Sequence, residues 1–154
     1  MLRILFVCTG NTCRSPMAEA MLNAKIGASG LADRIKVLSA GTAVFGEAPA
    51  SSGAQSAMAK RSLNLAEHRA RRLLPEYVQA ADLVLAMTRH HKEAVGAIAP
   101  QAADKLFTLA EFAGEDRDVS DPFGGDDATY EDCAAAIARL LDKAWEKIIR
   151  LAGE

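Results

Sequence analysis

The sequence has few of the residues that would place it in several large protein classes. It contains only three cysteines in 154 residues, and aromatic residues make up 5% of the chain. A small, odd number of cysteines argues against a disulfide scaffold and favours a reducing compartment. No apolar run reaches the roughly 18 residues that a membrane-spanning helix needs. The opening MLRILFVC is too short for a secretion signal, so we expect a cytoplasmic protein with no membrane partner.

The sequence also lacks a large excess of positive or negative charge. The 18 basic and 20 acidic residues give a net charge of −2, so no nucleic acid is expected as a partner. The basic stretch at residues 60–72 is interpreted as a solvated helix face. Hydrophobic residues make up 50% of the chain, and neither a repeat nor a linker interrupts it. Residues 1–154 are therefore predicted to form a single domain.

Short β-prone runs alternate with helical patterns along the chain. Strands are predicted at residues 3–8, 35–40, 82–87 and 105–109, and helices at 17–28, 54–62, 75–81, 89–98 and 127–152. An apolar stripe from Ile137 to Ile149 predicts that the last helix packs one face on the core. The alternation predicts an α/β fold, a four-stranded parallel open sheet flanked by helices on both faces. Ligands of such sheets bind beyond the carboxyl ends of the strands.

The stretch VCTGNTCRSPMAE, residues 7–19, lies at the end of the first predicted strand. Ser15 and a first-turn proline indicate that a helix follows. A helix N-terminus has free N–H groups and a partial positive charge, so a loop of small residues before it can hold an anion. Arg14 adds a planar fork for two phosphate oxygens. The predicted phosphate-binding loop consists of Thr9, Gly10, Asn11, Thr12, Cys13 and Ser15, with Gly10 and Asn11 able to adopt left-handed backbone.

Cys8 precedes this loop and is the predicted nucleophile. A free thiol has a pKa near 8.5, so only about 3% is ionised at pH 7. At a helix N-terminus beside an arginine, thiol pKa values of about 3.5 to 7.5 are typical, and Ser15 could donate a hydrogen bond to the sulfur. The alternative is a buried small residue before a plain helix cap. A nucleotide P-loop is disfavoured because its G-x4-G-K-[ST] pattern is missing.

A thiolate nucleophile needs a proton donor for the leaving group. The segment VSDPFGG, residues 119–125, offers Asp121, with Phe123 as an aromatic wall beside it. Asp-Pro pairs often only start turns, so this pair is a weak signal by itself. An aspartate that donates a proton at neutral pH needs a raised pKa, which we expect from burial and from the negative charge of the bound phosphate.

These motifs together resemble the low-molecular-weight protein tyrosine phosphatase family. The resemblance extends along most of the chain, through VCTGNTCRSPMAE, SAGT at 39–42, His68, ADLVLAM at 81–87 and DPFGG at 121–125. The family implies catalysis through a cysteinyl-phosphate. Cys8 would be the nucleophile, Arg14 the phosphate clamp, and Asp121 first the general acid and then the base for water.

The resemblance also implies supporting residues and partners. Asn11, Ser15, Ser39 and His68 would form a hydrogen-bond network that holds the loop, with a plain surface histidine as the alternative for His68. A phosphorylated protein would be the substrate and inorganic phosphate the product, with no metal and no cofactor. His90 and His91 are expected to be exposed on a helix and receive no role.

Within the family, two positions favour one branch. Tyrosine-specific members usually carry an apolar residue at the Thr12 position and paired aromatic residues after Asp-Pro, whereas here Phe123 precedes two glycines. Thr12 and the D-P-F-G-G segment resemble the bacterial protein arginine phosphatases, so Thr12 and Phe123 are predicted to line the substrate pocket. Tyrosine specificity remains the alternative. An arsenate reductase is less favoured because residues 14–132 contain no cysteine, and a non-catalytic phosphate-binding module would lack the nucleophile or the acid.

Overall fold

Four strands form one sheet in the computed structural model, which describes residues 1–153. They are β1 (Leu2–Cys8), β2 (Ile35–Gly41), β3 (Leu83–Ala86) and β4 (Leu106–Thr108). All pairs are parallel, and the strand order is β2-β1-β3-β4. The predicted four-stranded parallel sheet is confirmed, with strand ends within one or two residues of expectation.

Helices cover both faces of the sheet. They are α1 (Arg14–Ala28), α2 (Ser52–Ala59), α3 (Pro75–Ala80), α4 (Arg89–Ile98), α5 (Leu109–Phe112) and α6 (Asp127–Ala152), with a 3₁₀ helix at Pro100–Lys105. Apolar residues of β1 alternate between two cores because successive strand residues face opposite sides. Ile4 and Phe6 pack with α1, α2, α5 and α6, whereas Leu5 and Val7 pack with α3, α4 and the 3₁₀ helix.

The last helix packs along one side of the molecule by its predicted apolar stripe. Ile137 and Ile148 are fully buried, and Trp145 is partly buried against the core. Ile149, at the end of the stripe, is 40% exposed. Within residues 1–153, none of the helices has the length and apolar character needed to cross a bilayer.

Helix α1 begins earlier than the sequence pattern indicated. The expected start was Met17, after a Ser15 cap, but the helix begins at Arg14, with Cys13 as its N-cap residue. Pro16 therefore lies inside the first turn, where its missing N–H is tolerated because first-turn N–H groups have no partner within the helix. The polar loop at residues 9–13 consequently leads directly into α1, and the N-terminus of α1 lies at the carboxyl end of β1.

The basic stretch at residues 60–72 is not a helix, so that prediction is wrong. It is an irregular segment in which Leu65 and Ala70 are buried while Arg69 and Arg71 are exposed. Its backbone forms hydrogen bonds with distant parts of the chain instead of helical ones; for example, the Gly41 N–H donates to the Arg71 carbonyl at 2.9 Å. The segment thereby lies behind the loop that follows β1, at the carboxyl edge of the sheet.

Candidate active site

A cavity of about 220 Å³ opens at the carboxyl end of β1. Its lining residues come from the loop after β1, the start of α1 and the segment before α6: Cys8, Thr9, Gly10, Thr12, Cys13, Arg14, Asp121 and Phe123. Cys8 and Arg14 form the floor, since they are 3% and 5% exposed. Phe123 is 74% exposed and stands at the rim. The sequence-predicted nucleophile, clamp, acid and pocket wall therefore share one small cavity.

The Cys8 thiol is held against the first turn of α1. Its Sγ lies 2.8 Å from Ser15 Oγ, and both residues are buried. Burial raises the pKa of the Cys8 thiol above its ordinary value, whereas hydrogen bonds from Ser15 and the charge of Arg14 act to lower it. The net direction is opposite to the expected lowered pKa, because the sequence pattern gives no measure of how completely the sulfur is enclosed.

The guanidinium of Arg14 is held by a segment that lies 105 positions later in the sequence. Its Nη1 donates to the Val119 carbonyl at 2.8 Å, and its Nη2 lies 3.7 Å from Asp121 Oδ2. The segment that carries Val119 is itself tied to the sheet, because Val119 N–H donates to the Met87 carbonyl at 3.0 Å. A buried arginine with one anchored nitrogen is oriented before any ligand arrives.

Asp121 lies at the cavity mouth with its side chain 54% exposed. Its Oδ1 accepts the Phe123 N–H at 3.0 Å, a local turn of the kind that Asp-Pro segments form. The chain alone does not bury this carboxyl group, so the burial expected from the sequence is missing. A bound ligand would cover it and bring negative charge next to it.

Asn11 is the centre of the loop's hydrogen-bond network. It has a left-handed backbone, with φ of 56°, whereas Gly10 does not. Its side-chain amide donates to Ser15 Oγ at 2.8 Å and to Ser39 Oγ at 2.9 Å. Because Ser15 Oγ accepts from this amide, its own proton is available to the Cys8 sulfur.

The network continues on both sides of Asn11. Its Oδ1 accepts the Arg71 N–H at 2.9 Å, and its carbonyl accepts from His68 Nε2 at 2.7 Å. Ser39 donates to Glu19 Oε1 at 2.6 Å. The structure thus brings together the four predicted supporting residues. The sequence did not predict Arg71 and Glu19 as members of this network. Arg71 contributes only its backbone N–H and Glu19 a carboxylate on a helix face, and neither has a sequence signature.

The other two cysteines are buried near the cavity. Cys13 Sγ lies 3.2 Å from Ser51 Oγ and 3.5 Å from the Tyr130 hydroxyl. Cys133 is buried on α6, and burial raises the pKa of its thiol to about 12. Within residues 1–153, no cluster of three or more His, Cys, Asp or Glu side chains could hold a metal ion.

His91 contradicts the sequence-based expectation of an exposed histidine without a role. His90 is exposed, but His91 is 2% exposed and its Nε2 lies 2.7 Å from Thr9 Oγ1. Its Nδ1 lies 3.0 Å from Thr88 Oγ1, which also accepts the His91 N–H as the N-cap of α4. The sequence of α4 has few apolar residues, so it predicts an exposed helix. Which of the two adjacent histidines is buried depends on how α4 packs on the sheet.

The family of this chain follows from the fold and the site together. The model of the low molecular weight phosphotyrosine protein phosphatase family matches residues 3–151. The chain belongs to this family of phosphatases, as its sequence motifs indicated.

The relatives it resembles are divided between two named specificities. A protein-arginine-phosphatase of Geobacillus stearothermophilus is 41% identical over 95% of each chain. A probable low molecular weight protein-tyrosine-phosphatase of Ralstonia solanacearum is 37% identical over 97% of each chain. The crystal structure of a low molecular weight protein tyrosine phosphatase from T. tengcongensis superposes with a TM-score of 0.91 at 44% identity, covering 96% of this chain and 99% of that one.

Proposed function

We propose that this phosphatase hydrolyses phosphoarginine on proteins through a cysteinyl-phosphate intermediate. The observation that carries the proposal is the composition of the cavity. It combines a buried thiol and a fixed guanidinium with a half-exposed carboxyl group at the mouth and two threonine hydroxyls, Thr9 and Thr12, along its wall. Inorganic phosphate would leave as the product, and the roles below use no metal and no cofactor.

The first step transfers the phosphoryl group to sulfur. Arg14 and the N–H groups at the start of α1 bind the phosphoryl oxygens, and Cys8 Sγ attacks phosphorus in line with the leaving group. The P–N bond breaks as the P–S bond forms, and Asp121 gives its proton to the departing guanidine nitrogen. A thiol whose pKa is raised by burial enters this step by passing its proton to the phosphoryl dianion as the complex forms, so the total number of protons is unchanged.

The second step releases phosphate. Asp121, now a carboxylate, takes a proton from water, and the water oxygen attacks phosphorus. The P–S bond breaks, and the sulfur leaves as a thiolate that Ser15 and Arg14 stabilise. Because Asn11 fixes Ser15 and Val119 fixes Arg14, these groups do not have to reorganise as charge develops on sulfur.

The choice of arginine rests on the pocket wall. Thr12 is half-buried, and within residues 1–153 its Oγ1 has Cys13 Sγ, at 3.7 Å, as its only hydrogen-bond partner, so its hydroxyl remains available to a ligand. A guanidinium carries several N–H donors, whereas a phenyl ring has none. Its conjugate acid has a pKa above about 12, so protonation of the leaving group by Asp121 is essential. The similarity to a protein-arginine-phosphatase supports this choice.

The main alternative is a protein-tyrosine phosphatase. Phe123 at the rim is an aromatic surface on which a phenyl ring could stack, and several relatives carry that name. Arsenate reduction is disfavoured, because it relays a disulfide through further cysteines and Cys133 is buried in α6.

Side-by-side hydrolysis of a phosphoarginine protein and a phosphotyrosine peptide tests the proposal. We expect kcat/KM to be higher for the phosphoarginine protein and both reactions to be inhibited by vanadate. A higher kcat/KM for the phosphotyrosine peptide would replace the proposal with the tyrosine alternative. Absence of turnover with para-nitrophenyl phosphate as well would favour a phosphate-binding module.

A further inference from the structure

The pairing of Thr9 with His91 is not used by the catalytic steps above. The imidazole of His91 is buried, yet it has two polar partners, Thr88 Oγ1 on one nitrogen and Thr9 Oγ1 on the other. Thr9 itself is exposed and lines the cavity. A buried polar side chain thus holds the hydroxyl of an exposed pocket residue in one direction.

The protonation of His91 determines what Thr9 can offer to a ligand. Burial lowers the pKa of His91 to about 4, and the charges of Arg14 and His90 act in the same direction. The ring is therefore neutral near pH 7, with one N–H and one lone pair. Either Thr9 donates to His91 Nε2, or His91 Nε2 donates to Thr9. In both arrangements at least one lone pair of Thr9 Oγ1 remains free for a third group.

The depth of the cavity shows which part of a substrate Thr9 would meet. Cys8 and Arg14 at the floor are almost completely buried and receive the phosphoryl group. Asp121 and Phe123 at the mouth are largely exposed, so the leaving group lies between them. Thr9 is exposed like these rim residues and adjoins Cys8 in the chain. Thr9 therefore borders the part of the cavity between floor and mouth, where the bond between phosphorus and the leaving group would break.

We propose that Thr9, oriented by His91, accepts a hydrogen bond from an N–H group of a phosphoguanidine leaving group and so determines substrate choice. The inference rests on the proposed function and deepens it. A phosphoguanidine presents N–H donors next to phosphorus, whereas an aryl phosphate presents an oxygen without a proton and a ring. His91 is a positioning residue in this scheme, and Thr9 is the residue that contacts substrate.

The test is the ratio of two activities, which removes any loss common to both substrates. kcat/KM is measured with a phosphoarginine protein and with para-nitrophenyl phosphate for the wild type, Thr9→Val, His91→Leu, His91→Gln and the double variant Thr9→Val/His91→Leu. Leaving a substrate N–H group without a hydrogen-bond acceptor lowers kcat/KM by roughly 5- to 150-fold. Thr9→Val and His91→Leu should therefore each lower the phosphoarginine-to-aryl ratio of kcat/KM by about that factor. The double variant should lower it no further than Thr9→Val alone.

The conservative variant separates positioning from packing. His91→Gln keeps an N–H within reach of Thr9 and should restore most of the ratio that His91→Leu loses. The exposed neighbour provides the control, since His90→Gln should leave the ratio unchanged. Because Thr9 is exposed, Thr9→Val remains informative even if His91→Leu fails to fold.

The outcomes distinguish this inference from the proposed function. If the wild type hydrolyses phosphoarginine but Thr9→Val lowers both activities equally, Thr9 only shapes the loop and the inference is overturned, while the proposed function stands. If the wild type prefers phosphotyrosine, the proposed function fails and the inference fails with it.

Discussion

At the residue scale, the site depends on one buried amide. Asn11 is fully buried and has a left-handed backbone. Its side-chain Nδ2 and Oδ1 both form hydrogen bonds with neighbours that hold the loop. Asparagine tolerates this backbone better than most residues with a Cβ, and its amide offers donors and an acceptor on one short side chain. The network consequently orients the hydroxyl of Ser15 toward the Cys8 sulfur.

The division of labour between Cys8 and Asp121 is the first prediction. Cys8→Ser should abolish turnover yet retain phosphate binding, because the Arg14 clamp and the helix N-terminus remain. Asp121→Asn should lower kcat by about 10²- to 10⁴-fold, the usual contribution of general acid–base catalysis. Steady-state kinetics and phosphate titration calorimetry measure these effects. Substantial activity in Cys8→Ser would contradict a covalent mechanism.

The second prediction concerns the ionisation of Cys8. Ser15→Ala removes the hydroxyl that lies 2.8 Å from the sulfur and acts to lower the pKa of Cys8. The pKa should therefore move further upward, so the thiolate forms only at higher pH. The rate of inactivation by iodoacetamide, followed against pH, should have its midpoint shifted to higher pH than in the wild type. An unchanged midpoint would mean that the hydroxyl does not stabilise the thiolate.

The third prediction concerns Thr12. Thr12→Ile removes a hydroxyl and adds apolar surface at the pocket wall, while the nucleophile, clamp and acid remain. Phosphoarginine turnover should fall by roughly 5- to 150-fold in kcat/KM, the cost of an unsatisfied N–H group, and phosphotyrosine turnover should rise. A parallel fall in both activities would assign Thr12 a structural role and weaken the case for arginine.

At the scale of elements, the end of β2 lies close against the loop that follows β1. Gly41 pairs with Cys8 in the sheet, and a Cβ on it would lie 2.4 Å from the Thr9 carbonyl and 2.9 Å from the Asn11 nitrogen. These neighbours are backbone atoms that cannot rotate away. The absence of a side chain at this one position of β2 therefore sets the distance between strand and loop.

Gly41→Ala should consequently damage catalysis more than the fold. The added methyl group must displace the loop, and a displacement of about 1 Å near a reacting centre can cost about 10²-fold in rate. Gly27→Ala in α1 is the matched control, because nothing lies within 4 Å of its Cβ and alanine favours helix by about 1 kcal/mol. kcat/KM of both variants is measured beside thermal unfolding. Equal activity of the two variants would refute the tight contact.

Elements with a regular apolar pattern could be predicted, and contacts between elements could not. The start of α4 at Arg89 and of α6 at Asp127 agree with the sequence because caps and periodicity are local signals. The helix predicted at residues 60–72 is wrong because the Arg71 backbone bonds to Gly41 of β2 and to Asn11, which no local signal indicates. The loop of VCTGNTCRSPMAE was recognisable because all its chemistry lies within one short segment. His91 was missed because its partner is Thr9, 82 positions away.

At the scale of the whole molecule, two cores of unequal size support the sheet. The larger core joins α1, α2, α5 and α6 to one face, and the smaller core joins α3 and α4 to the other. Helix α6 contributes the longest uninterrupted apolar stripe and passes beside the segment that carries Asp121. The last helix thus contributes to the larger core and also lies beside the segment that carries Asp121.

Ile137→Ala tests the stabilising role of α6. Ile137 is fully buried, so its truncation should lower the free energy of unfolding by about 2–5 kcal/mol. Ile149→Ala on the same helix is the control, because Ile149 is 40% exposed and changes at exposed sites usually stay within about 0.5 kcal/mol. Urea denaturation followed by circular dichroism measures both. Equal losses would mean that the stripe does not carry the packing of α6.

The hydrogen bond from Arg14 to the Val119 carbonyl joins positions 105 residues apart. During translation Cys8 and its loop leave the ribosome before the Val119 carbonyl, which follows Arg14 by 105 positions. A nascent chain stalled before Val119 therefore carries Cys8 without an oriented Arg14 and without Asp121. Assembly of the cavity therefore waits for the synthesis of Val119 and Asp121, which follow Arg14 by more than 100 positions.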